Sequence, residues 1–144
     1  MRVYLDMCCL KRPFDDQSQA RIRLESEAVL ALLGASERIE FLRAAALDLE
    51  NAQNPLPPRA AKVRLWLETL PRVEIDAVAL TDRTKELMAL GFKNFDALHV
   101  ASAEALGASA LGTCDDRFLA AGRRQAAILK VRIANPIDLA RELI

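Results

Sequence analysis

Long apolar runs are missing from this 144-residue chain: stretches such as Ala44–Leu47 are broken by charge well before the ~18 residues that a membrane span needs. No bilayer crossing is expected. An excess of either charge is missing too, because 20 Lys and Arg stand against 20 Asp and Glu. Any nucleic-acid binding must then come from local patches rather than bulk charge. Cysteine is scarce and odd in number; of the three, Cys8 and Cys9 are adjacent, which makes a poor disulfide framework and suits a reducing cytoplasm. The N-terminus places Asp6 where a signal peptide would continue its apolar stretch, so export is not expected. The five glycines are scattered and no G-x-x-x-x-G-K occurs, which disfavours nucleotide-triphosphate chemistry. His99 is the single histidine and no C-x-x-C pair accompanies it, so a zinc site lacks ligands.

What is present suits one domain over residues 1–144, at roughly 100–200 residues per domain. With 52% apolar residues there is material for a proper core. Val3-Tyr4-Leu5 reads as a buried strand ending at Asp6. A helical stripe from Gln17 to Leu33 stops at Gly34, Ile39–Ala46 suggests a second strand, and Arg59–Leu70 is amphipathic and closed by Pro71. Val73–Ala77 alternates like a strand, and Leu80–Leu90 reads as a helix capped by Thr81 and ended by Gly91. Asn94 can cap a helix running to Leu106. Ala108–Gly112 follows as a small-residue strand, then a helix from Arg117, a strand Val131–Ile133 and a last helix after Pro136. Strands alternating with helices, mostly apolar on both faces, imply a three-layer α/β/α domain around a central parallel sheet.

In such sheets ligands sit beyond the carboxyl ends of the strands, so the acids there are the candidates. Asp6 follows the first strand, and Asp115 with Asp116 follows Ala108–Gly112. Taken singly, each reads as a turn or helix cap. Asp96 lies in the first turn of a helix, where the dipole favours an anion. Glu50, a lone acid after an apolar run, reads as a surface residue. Converging carboxylates nonetheless make an oxygen-only site for Mg²⁺ or Mn²⁺. His99, one turn after Asp96, is assigned to packing or hydrogen bonding near such a site.

These residues resemble the PIN-domain ribonucleases. Val3-Tyr4-Leu5-Asp6 with Arg12-Pro13-Phe14-Asp15-Asp16 looks like the opening of one branch, and Phe95-Asp96-Ala97-Leu98-His99-Val100-Ala101 is similar to the family's D-A-L-H/I-x-A helix. Leu111-Gly112-Thr113-Cys114-Asp115-Asp116-Arg117-Phe118 resembles its T-x-D-x-x-F turn, and Asn135-Pro136 its closing N-P. The resemblance implies a metal- and substrate-bearing set of Asp6, Glu50, Asp96 and Asp115, with Asp48 competing for the second place and Asp116 assisting or capping. It implies Mg²⁺- or Mn²⁺-dependent cleavage of RNA, an antitoxin protein as partner in a toxin-antitoxin pair, and leaves a homodimer open. One departure stands out: the family places Thr or Ser after the first acid, and here Met7 does so. A catalytically weakened PIN fold that binds RNA or protein is therefore the alternative reading. Two basic patches, Arg59/Lys62/Arg64 and Arg123/Arg124, read as solvated surface or as phosphate contacts.

Overall fold

Val3, Tyr4 and Leu5 are buried almost completely, as a strand covered on both faces requires. The computed structural model describes residues 1–144 and places them in β1 (Arg2–Leu5), inside a four-stranded sheet. β2 (Glu40–Phe41), β3 (Ala110–Gly112) and β4 (Arg132–Ala134) complete it in the order β2-β1-β3-β4, every pairing parallel. Helices flank the sheet, giving the α/β architecture expected of alternating strands and helices. β1 and β3 are neighbours with Leu5 opposite Gly112, so Asp6 and Thr113 leave the sheet side by side. Gly112 is needed there: a Cβ would lie 2.7 Å from Leu5 Cδ2 and 3.2 Å from Leu139 Cδ1.

The helices are α1 (Met7–Lys11), α2 (Ala20–Gly34), α3 (Ala45–Ala52), α4 (Pro57–Leu67), α5 (Ala77–Ala89), α6 (Asn94–Ala105), α7 (Asp116–Arg124) and α8 (Pro136–Leu143). A 3₁₀ turn, Arg12–Phe14, follows α1. The short α1 was not expected, since five residues are too few to show a helical period. Four expectations need correction. The strand expected over Ile39–Ala46 is only Glu40–Phe41, because α3 already begins at Ala45. No strand forms at Val73–Ala77: Val73 is 47% exposed, so the alternation has no buried face, and Asp76 instead caps α5 by accepting from Val78 N at 3.3 Å. Thr81 lies within α5, and Asn94 is the first residue of α6 with Lys93 in the cap position.

At the carboxyl end of β4, beside the end of β3, Asn135 caps α8 through Ile137 N at 2.8 Å and donates to Glu25 Oε2 at 2.6 Å. Arg12 and Arg21 approach the other oxygen of Glu25 at 3.5 Å each. This buried carboxylate ties α2, the 3₁₀ turn and α8 together.

Candidate functional site

Asp6 ends β1 and starts α1. Its carboxylate accepts from Cys9 N at 3.0 Å, the exchange that lets a chain turn from strand into helix without an unpaired amide. Its own N–H is donated to Gly112 O at 3.0 Å, which locks it to the end of β3. Thr113, fully buried, lies near the Asp6 carboxylate and accepts from Asp115 N at 3.1 Å. One hydroxyl thus stands between the acids at the two strand ends. Asp115 in turn caps α7, accepting from Arg117 N at 2.8 Å and Phe118 N at 3.3 Å. Asp96 stands in the first turn of α6, and α3 delivers Glu50.

The charges of these side chains act on one another. Burial pushes the Asp6 carboxyl up to about 6, with Glu50 adding repulsion, while the hydrogen bonds from Thr113 and Cys9 oppose the rise. Asp96 is also pushed up to about 6, by burial first, then by Asp6, Asp115 and Glu50. Neither has a salt-bridge partner among Lys or Arg. Cys8 is raised by burial and by Asp6, Glu50 and Asp115, and Cys9 by burial; both stay thiols, which argues against a nucleophilic cysteine here.

Glu50 is held by a chain of two short hydrogen bonds. Tyr4 OH lies 2.6 Å from His99 Nδ1, and His99 Nε2 lies 2.6 Å from Glu50 Oε1. The Tyr4 hydroxyl has no other partner, so it donates to Nδ1 and leaves the Nε2 proton for the carboxylate. Tyr4 and His99 are almost fully buried and Phe95 stacks on the imidazole, so the ring has little freedom. Asp48, the rival to Glu50, is instead paired with Arg43 at 2.9 and 3.2 Å. Asp116 turns away from the other acids into a two-pronged pair with Arg21 at 2.7 and 2.8 Å.

Residues 3–124 match the family model of the PIN domain. The chain belongs to the PIN domain family. No match is found among curated proteins. A chain of VapBC2 from Rickettsia felis, whose crystal structure contains a DNA fragment from the promoter, is similar in fold with a TM-score of 0.55 at 16% identity. The likeness covers 94% of this chain and 98% of that one, and at such identity it bears on the fold alone.

The resemblance left this PIN domain with Met7 in place of a hydroxyl residue. Met7 is 1% exposed and belongs to the hydrophobic core, where a hydroxyl would be costly. Thr113, from the neighbouring strand end, places a hydroxyl near Asp6 instead, a proximity that sequence order hides and strand adjacency reveals. Tyr4, buried in the first strand, likewise looked like plain core.

The donor chemistry around Asp6, Glu50, Asp96 and Asp115 is all oxygen, which suits a hard cation. The ligands are not preassembled, since no three His, Cys, Asp or Glu side chains stand close enough to hold a metal ion. Asp6 is engaged with Cys9, Glu50 with His99 and Asp115 with the start of α7, each through one carboxylate oxygen.

Proposed function

We propose that this PIN domain is an endoribonuclease that cleaves RNA with Mg²⁺ or Mn²⁺ held by Asp6, Glu50, Asp96 and Asp115, and that it acts as the toxin of a toxin-antitoxin pair. The observation that carries the metal reading is electrostatic: the buried Asp6 and the half-buried Asp96 repel each other and have no Lys or Arg to balance them. Carboxylates in that state are costly to keep unless a cation joins them. The PIN family and the VapBC2-like fold support the nuclease and antitoxin parts of the reading.

When bound, such an ion supplies a more acidic water and neutralises charge on the phosphate. The residues of the chain do the rest. The Asp6 N–H bonded to Gly112 O fixes that residue against the end of β3, His99 fixes Glu50, and the α7 amides fix Asp115. With a carboxyl near 6, Asp96 is able to take up or release a proton close to neutral pH.

The test is Asp96→Asn, which preserves size and removes charge. Cleavage of a single-stranded RNA in Mn²⁺ should fall by more than the roughly 10–100-fold that outer-shell changes cause, with the melting temperature unchanged or higher. A purified variant that cuts as fast as the parent at every Mn²⁺ concentration would exclude Asp96 as a ligand.

A further inference from the structure

Beside Asp96 lies a cleft of about 260 Å³ whose wall includes Lys93, Arg117 and Arg124. None of the three cationic heads is paired with a carboxylate, Asp96 included, and all three residues are exposed. Arg12, Arg21, Arg43, Arg59 and Arg83, by contrast, are all in ion pairs. The Arg59/Lys62/Arg64 patch is consumed as well, since Arg59 meets Asp15 and Asn54, Lys62 sits over the Phe14 ring and Arg64 pairs with Glu68.

Two of the cleft cations are where helix stability does not want them. Lys93 occupies the cap position of α6 and Arg117 the first turn of α7, both at the positive ends of helix dipoles. An anion seated between them relieves that repulsion. The cleft is a little smaller than the roughly 300–1,000 Å³ of small-molecule sites, a size for a phosphate and its sugar rather than for a larger cofactor. Phe92 and Phe118, which also line it, are buried and offer no exposed ring for a base to stack on.

We propose that Lys93, Arg117 and Arg124 form a subsite for one backbone phosphate of RNA, adjacent to the phosphate at the acids. The inference rests on the nuclease reading above and adds to it where the strand lies: over the starts of α6 and α7, with its backbone gripped and its bases unread.

The experiment compares the parent with Lys93→Gln, Arg117→Gln, Arg124→Gln and the triple variant. Lys85→Gln, an exposed unpaired cation on α5, is the control. Binding of a labelled single-stranded oligoribonucleotide is followed by fluorescence anisotropy in EDTA over a salt series, and cleavage in Mn²⁺ is followed separately. Each cleft variant should weaken binding, and the triple should make the slope of log K against log salt shallower by about 0.7, the worth of one phosphate on a single strand. KM should rise in step, melting temperatures should hold, and the control should match the parent. Equal slopes for parent and triple variant, or a control that weakens binding as much as each cleft variant, would overturn the subsite even if the parent cleaves RNA. Slopes that respond while the parent cleaves nothing would uphold the subsite and bring down the nuclease reading. A triple variant that keeps RNA but loses a labelled poly-glutamate peptide would reassign the cleft to an acidic protein partner.

Discussion

Glu25 and Asp6 are equally hidden from water, at 1% and 3% exposure, yet they keep opposite company. Glu25 is flanked by Arg12 and Arg21 and receives a hydrogen bond from Asn135. Asp6 has the Cys9 amide but no Lys or Arg, and Glu50 repels it. A buried acid that holds elements together comes with its cations, because the chain must supply the neutralising charge itself. An acid kept in reserve for a ligand does not. That difference separates the structural acids Glu25, Asp48 and Asp116, each with an arginine, from Asp6 and Asp96.

The largest expected effect breaks the first half of the comparison. Glu25→Ala should cost about 3–5 kcal/mol of stability, because it leaves Arg12 partly buried without its partner and Asn135 Nδ2 without an acceptor. Urea denaturation measures it. A loss under 1 kcal/mol would mean that the arginines find water easily and that the network adds little.

The fold was largely legible in the sequence because its strands are short apolar runs bounded by acids and glycines. β1 and β3 were placed within two residues of their observed limits. Val73–Ala77 misled because alternation marks a strand only when one face is covered, and burial is not visible in sequence. At the site, Asp6, Asp96 and Asp115 stood out by position at strand and helix ends. Sequence favoured Glu50 over Asp48 without a sharp motif, and the structure gives the two different company, Arg43 beside Asp48 and His99 beside Glu50. Thr113 and Tyr4 gave no signal beyond a short motif and an apolar strand, since what they touch is set by a crossover of about a hundred residues.

The second prediction sharpens the other half. With the Asp6 carboxyl raised from 3.8 to about 6, the folded protein holds a proton that the unfolded chain has already lost. Stability therefore falls as pH rises from about 4 to 6, and the penalty is complete above 6. A two-unit shift at about 1.4 kcal/mol per unit sets its size at about 3 kcal/mol. Asp6→Asn, whose amide oxygen still caps Cys9 N, should be more stable than the parent at pH 8 in EDTA and should flatten the pH dependence. If the variant is less stable than the parent throughout, Asp6 is paired by something other than a proton or a metal.

The smallest effect tests the acid between the two classes. Glu50 has no arginine but is not free either, because His99 holds it and Tyr4 holds His99. If His99 only packs, replacing it should change stability and nothing else. If it aims Glu50 at an ion, His99→Phe should raise the Mn²⁺ concentration needed for half-maximal cleavage by about 10–100-fold, the usual worth of an outer-shell partner. His99→Phe also strands the Tyr4 hydroxyl in the core, which lowers stability on its own account. The double variant Tyr4→Phe with His99→Phe removes that complication, replacing both polar partners with apolar rings of similar shape. It should recover melting temperature while the shift in Mn²⁺ requirement persists. A double variant that recovers both would reduce the chain from Tyr4 to Glu50 to a matter of core packing, and Glu50 would then join Glu25 among the acids that serve the fold.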